Sequence, residues 1–217
     1  MPDPLVIIPA RIGSKGIPNK NFRLLNGRSP LDRAVDCAIL AGFANIVVTT
    51  DHSGVANAAF GLLATSPLHT DTCSLVDVVL DVLQRIPGSY KQKVLLVQPT
   101  QPLRQTWHLR WAIKFLDNGP SAASVVEVEP AAKLYYEGFE PVLGQDVEQR
   151  QQARRTFACD GTVYGFRRAW FLEYKTFRSA KTLMMPIPRD QTCRLDVLDD
   201  WYRAEKLVPA YSPNSVV

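Results

Sequence analysis

LVIIPARIGSKGIPNKN, Leu5 to Asn21, is the stretch around which the rest of the chain is arranged. Its first four residues, Leu5 to Ile8, are a short apolar run closed by Pro9, the pattern of a strand buried on both faces of a parallel sheet. From Ala10 the composition changes. Two glycines, a serine and a second proline are interleaved with Arg11, Lys15, Lys20 and Asn21, which is too polar for a core and too glycine-rich for a helix. A cationic loop after the first strand of an α/β sheet lies where ligands of that architecture bind, and its glycines let backbone N–H groups turn toward an anion. Two familiar phosphate loops do not fit. The Walker loop needs G-x-x-x-x-G-K-[ST] and the dinucleotide loop G-x-G-x-x-G, whereas Gly13 and Gly16 are three apart and no Gly-Lys-Ser/Thr occurs. On this stretch alone, an anion site competes with an ordinary basic surface loop.

The 217 residues, 46% of them hydrophobic, suffice for one domain with a full core. A net charge of +4 suits small anionic ligands, and the scattered basic residues show no nucleic-acid-binding pattern. Cys37, Cys73, Cys159 and Cys193 are isolated, and His52, His69 and His108 have no ligand spacing, which argues against zinc and for reduced thiols in a cytoplasmic protein. The apolar run after Asp3 is too short for a signal peptide, and no segment reaches membrane-spanning length.

Downstream, Ser29-Pro30 caps a first helix running to Gly42. Asn45 to Thr50 is a second buried strand, and Ser53 opens a helix expected to reach about Ala64. A polar connector from Thr65 to Cys73 precedes an apolar helix capped by Ser74 and stopped by Pro87-Gly88. Lys93 to Gln98 reads as the third strand, followed by the proline-stiffened turn Pro99 to Arg104, a helix over about Trp107 to Asn118 and a fourth strand over Ala122 to Glu127. Between Pro130 and Arg155 the periodicity is lost, and the segment reads as an excursion from the sheet. Gly161 to Phe166 returns as a strand, Thr182 to Ile187 as an edge strand interrupted by Pro186, and Asp199 to Val208 as a closing helix. The tail after Pro209 is expected to pack little. Alternating strands and helices without repeats predict a single-domain, doubly wound, mostly parallel α/β sheet.

Taken together these segments resemble the sugar-acid cytidylyltransferases, most closely the acylneuraminate branch. The family's opening pattern I-P-A-R-x-G-S-K-G-x-x-x-K-N is present as Ile8, Pro9, Ala10, Arg11, Gly13, Ser14, Lys15, Gly16, Lys20 and Asn21. Val47 to Asp51 (VVTTD), Leu95 to Arg104 (LLVQPTQPLR) and Asp160 to Phe166 (DGTVYGF) are similar to further family segments. The resemblance implies a Rossmann-like nucleotidyltransferase that uses magnesium to transfer CMP from CTP to the anomeric hydroxyl of a 2-keto sugar acid, with release of pyrophosphate. It assigns Arg11 and Lys20 to the triphosphate; a unit charge at 4 Å is worth about 4 kcal/mol at an effective dielectric of 20. It sets Asn21, the backbone around Ala10, and Asp71 to Ser74 around the cytosine. Gln98, Thr100 and Asp160 are assigned to the sugar, while Lys133, Arg150 and Gln151 hold its carboxylate, with the excursion reaching across a homodimer interface.

The chain departs from the family at several positions. Where the metal motif reads D-I-D, this sequence has Arg194-Leu195-Asp196, which leaves Asp196 as a magnesium carboxylate. Asp160 replaces the asparagine of the N-G-A-I-Y strand, and either pairs with Arg194, or serves as the missing metal ligand, or has drifted independently. Ser66-Pro67 lacks an arginine found near the base, and Ala158 stands where many members carry arginine. Three readings follow: an active CMP transferase for a sialic-acid-like substrate; one for another ulosonate, such as an eight-carbon 3-deoxy sugar; or a nucleotide-binding homologue without turnover.

Overall fold

Leu5–Pro9 forms β1, and Leu5, Val6, Ile7 and Ile8 are all fully buried. The computed structural model describes residues 4–14, 16–51, 62–65, 73–86, 92–128 and 155–210. Within them β1 lies between β2 (Ile46–Thr50) and β4 (Lys93–Leu96), parallel to both. Strand alternation then divides its side chains. Val6 and Ile8 enter one core with α1 (Pro30–Leu40) and α3 (Thr106–Phe115), through Ala34, Val35, Ala38, Leu109 and Ala112. Leu5 and Ile7 enter the other with α2 (Leu75–Arg85) and α4 (Arg168–Tyr174), through Val79, Val82, Leu83 and Phe171. Each fully buried aliphatic side chain contributes about 1.5–3 kcal/mol relative to exposure, so the end of β1, where the cationic loop starts, is a fixed point.

Among the described residues, with β3 (Leu62–Thr65), β5 (Ser121–Val128), β6 (Thr156–Arg167) and β7 (Leu183–Pro186), the sheet has seven strands in the order β3-β2-β1-β4-β6-β5-β7. It is mostly parallel, with β6 running antiparallel to both β4 and β5. Val128 pairs with Thr156, so the chain leaves and rejoins the sheet at one place. The expected excursion falls almost wholly in 129–154, outside the described residues.

Capping matches the sequence reading. The Ser29 hydroxyl accepts from the Asp32 N–H at 3.1 Å, and Ser74 and Asp77 form a reciprocal capping box. Two expectations need correction, and one helix is additional to them. The helix projected to Ala64 is instead a strand at its end: β3 (Leu62–Thr65) pairs in parallel with β2, whose outer backbone groups would otherwise form an open edge. The strand expected from Gly161 starts at Thr156, because antiparallel pairing with β5 continues past a register shift between Ala123 and Val125. Finally, α4 follows β6 without an intervening loop and ends on Lys175 at φ +49°, a helix for which the sequence offers no N-cap. β7 (Leu183–Pro186) lies at the sheet edge as expected and pairs in parallel with β5. The closing helix, α5, spans Leu198–Leu207.

A third, smaller core positions the site. Ile17 and Leu25 from the loop after β1 pack with Leu103, Cys193, Leu195, Trp201, Ala204 and Val208. The cationic loop is thereby clamped against α5 and the segment before it.

Candidate active site

The loop is held at several points before any ligand is considered. Ala10 is buried, and its N–H donates to the Thr49 carbonyl at 2.8 Å, so Ala10 extends the sheet and that N–H is already engaged. The Ile12 N–H donates to the Asp51 carboxylate at 2.8 Å, giving the aspartate at the end of β2 a tethering role. Asn21, 5% exposed, donates from Nδ2 to the Arg11 carbonyl at 2.9 Å and ties the two ends of the loop together. Its Oδ1 is buried without a hydrogen-bond partner among the described residues. Gly13 has open space where a Cβ would point, whereas a Cβ on Gly16 would lie 2.1 Å from the Asp196 carbonyl oxygen. The second glycine is thus required by the direct approach of the loop to residue 196.

Lys20 is the centre of that approach. Its Nζ donates to the Leu195 carbonyl and stands 3.7 Å from Asp196 Oδ1. Burial lowers the Lys20 pKa below 10.5; Arg194 and Arg11 push it the same way, and Asp196 opposes them. The other carboxylate oxygen of Asp196 binds Arg194 Nε at 2.6 Å. Lys20 and Arg194 therefore face one carboxylate, with Arg11 near enough to act on Lys20, an environment that favours a polyanion.

Segment 192–196 is fastened from below. The Leu195 N–H donates to the Thr100 carbonyl at 2.9 Å, and the Cys193 N–H donates to Gln101 Oε1 at 3.2 Å. Gln101 Nε2 donates in turn to the Asp160 carbonyl. On the other side Asp200 Oδ2 accepts from the N–H groups of Asp196 and Val197, each at 2.9 Å, which fixes the start of α5. Gln101 is 1% exposed and joins three segments. The sequence predicts no role for it; its one signal is an amide between two prolines in a strand-end turn.

Asp160 is 5% exposed. Its carboxylate accepts from the Thr162 N–H at 3.2 Å, from the Thr162 hydroxyl and from the Thr192 hydroxyl at 3.1 Å. Of the three alternatives for Asp160, the pairing with Arg194 does not form, because the arginine closes on Asp196, two residues away, while neutral donors already satisfy Asp160. Beside it, Gly161 adopts φ +80°, and a Cβ there would come within 3.2 Å of Gln98 Nε2. Arg104, 7% exposed, donates to the carbonyls of Thr162 (2.7 Å) and Gln98; burial pushes its pKa down to about 10.

Neither acidic residue assigned to magnesium is set up as a ligand. Asp196 lies between two cations, Asp160 is enclosed by hydroxyl and amide donors, and no cluster of three His, Cys, Asp or Glu side chains able to hold a metal occurs among the described residues. A divalent ion at Asp196 would meet both Arg194 and Lys20 at close range. The donor set does not fit the ion.

Of the residues assigned from sequence, Gly16, Lys20 and Asp196 meet directly, with Arg11 and Asn21 in the same loop and Thr100 and Asp160 fastening the segment opposite. Ser14 is half-buried in the loop and Gln98 half-buried at the end of β4. Ser74 has its hydroxyl engaged in the α2 cap. Lys15, Asp71, Lys133, Arg150 and Gln151 lie outside the described residues.

Residues 5–180 match the profile of the family described as Cytidylyltransferase. The chain belongs to this family. As a cytidylyltransferase it is similar to CMP-N,N'-diacetyllegionaminic acid synthase of Legionella pneumophila, at 30% identity over 94% of this chain and 95% of that protein. It is 28% identical to an N-acylneuraminate cytidylyltransferase of Streptococcus agalactiae, covering 91% of this chain and 51% of the longer relative. Among solved structures, a CMP:2-keto-3-deoxy-manno-octonic acid synthetase complexed with CTP aligns over 94% of this cytidylyltransferase and 98% of that chain, with TM-score 0.70 and 15% identity. A 4-diphosphocytidyl-2C-methyl-D-erythritol synthase from Anaerococcus prevotii has the same fold at TM-score 0.67 and 10% identity, over 94% of this chain and 97% of that one.

Proposed function

We propose that this cytidylyltransferase moves CMP from CTP to the anomeric hydroxyl of a 2-keto sugar acid of the sialic or legionaminic kind. The observation that carries this reading is the convergence of Lys20 and Arg194 on Asp196, with Arg11 close enough to depress the Lys20 pKa. The names of the relatives, legionaminate and acylneuraminate enzymes, support the substrate class. In the reaction the sugar hydroxyl oxygen attacks the α-phosphorus, its proton passes to solvent, and the bond to the bridging oxygen of the β-phosphate breaks to release pyrophosphate. Arg11 and Lys20 balance the charge that builds on that leaving group.

Asn21, the Ala10 region, Asp71 and Ser74 are assigned to the nucleotide, and Gln98 and Thr100 to the sugar. Lys133, Arg150 and Gln151 are assigned to the sugar carboxylate, which they would orient while the neighbouring hydroxyl attacks. Their segment is proposed to act across a homodimer. No helix among the described residues is long and apolar enough to cross a membrane. A cytoplasmic setting is proposed on a separate ground, the free cysteines. Magnesium is given no step, since Asp160 and Asp196 are not arranged to hold it.

The Arg194–Asp196 pair also favours a second reading, a nucleotide-binding homologue without turnover. Pyrophosphate release from CTP, measured with N-acetylneuraminate, a legionaminate and 3-deoxy-manno-octulosonate, separates the cases. Release with one of the first two acids is the expected result, and release with the eight-carbon acid alone moves the substrate class. CTP binding without release with any of the three favours the silent homologue.

A further inference from the structure

We propose that the Arg194 guanidinium is a polyphosphate ligand and supplies charge neutralisation that would otherwise require a divalent ion, so that CTP binds this chain without metal. The inference rests on the CMP-transfer reading above. Residues 193 and 195 on either side are 4% and 0% exposed and pinned through their N–H groups to Gln101 and Thr100. The backbone at 194 is therefore fixed, while its side chain, 62% exposed, projects from the segment that meets the loop. Its Nε contacts Asp196 at 2.6 Å, and among the described residues no ion pair joins the guanidinium to any other carboxylate. Its two terminal nitrogens carry donors in a planar fork that matches two phosphate oxygens.

Asp196 then acts as a holder. In the free protein it keeps Arg194 at 2.6 Å and Lys20 at 3.7 Å, which limits repulsion among Arg11, Lys20 and Arg194. A triphosphate, with more charge than one carboxylate, draws both side chains onto its β- and γ-oxygens. Rotation of two flexible side chains is enough, since Gly16 and segment 192–196 already lie against each other.

Titration calorimetry of the full chain with CTP, in EDTA and in magnesium, tests the proposal. The wild-type dissociation constant should agree within about threefold between the two conditions. Arg194→Ala should weaken binding in EDTA by about tenfold or more, the scale of one charge-assisted pair, and Arg194→Lys should recover part of that loss. Arg194→Asp, which sets a second carboxylate beside Asp196, should make CTP binding depend on magnesium and should bind manganese in the absence of nucleotide. Tight wild-type binding only with magnesium, unaltered by Arg194→Ala, overturns this inference and leaves the CMP-transfer reading standing. Failure of the wild type to bind CTP in either buffer overturns both.

Discussion

At the scale of single residues, two glycines that look alike in the sequence are separated by their surroundings. Gly16 lies against the Asp196 carbonyl, with no room for a methyl group, while Gly13 faces open space. Gly16→Ala should cost about 1–3 kcal/mol, as expected for overpacking, and should weaken CTP binding because the loop is forced off its partner segment. Gly13→Ala should leave thermal stability within about 0.5 kcal/mol; equal loss in both variants, read by thermal melts, would count against the contact. Lys20 carries a second prediction. Because burial and two neighbouring arginines lower its pKa below 10.5, the lysine loses its proton earlier on the alkaline side than an exposed one. CTP affinity should start to fall at a correspondingly lower pH, and Lys20→Arg, which stays charged, should remove that decline.

At the scale of elements, the site depends on one strand-end turn docking one late segment. Gln101 receives the Cys193 N–H and donates to the Asp160 carbonyl, both in buried surroundings. Gln101→Ala leaves those two groups unpaired and should destabilise the fold by about 2 kcal/mol or more. It should also weaken CTP binding although the side chain is not assigned to the ligand; a denaturant melt and a binding titration on the same protein check both effects. Several elements could be read from the sequence because their signals are local: the apolar run of β1 and the serine caps of α1 and α2. Others could not. Leu62–Thr65 is four residues of mixed propensity, and only the open edge of β2 selects strand over helix. The partner of Arg194 was equally hidden, since the choice between Asp160 and Asp196 depends on Thr162 and Thr192 enclosing the former. Spacing along the chain carries no trace of that enclosure.

At the scale of the whole molecule, a buried histidine couples the fold to pH. His108 is 0% exposed, accepts the Gln105 N–H at 3.1 Å through Nδ1 and meets the Gln191 side chain at 3.1 Å through Nε2. Burial lowers its pKa from 6.5 to about 4, so between these values the unfolded chain binds more protons than the folded one. Stability should therefore be complete above pH 6.5 and fall as pH drops toward 4, by up to about 3 kcal/mol. Replacement of His108 by Gln should flatten that part of the curve, measured by urea unfolding between pH 7 and 4. The doubly wound architecture was readable because it follows from alternation of strands and helices along the chain. The antiparallel insertion of β6 was not, because it depends on two strands separated by a long excursion finding each other at Val128 and Thr156.

The third small core has a bearing on the order of events at synthesis. Ile17 and Leu25 are made early, whereas Leu195, Trp201 and Ala204, against which they pack, are made late. While the chain is still emerging, β1, β2 and β4 can associate, but the cationic loop has nothing to lean on and Lys20 has no Leu195 carbonyl or Asp196 carboxylate to hold it. On the proposed assignment of this loop to the triphosphate, competence for the nucleotide is gained at one late moment, when α5 closes, and a nascent chain with most of its sheet formed would not yet sequester CTP.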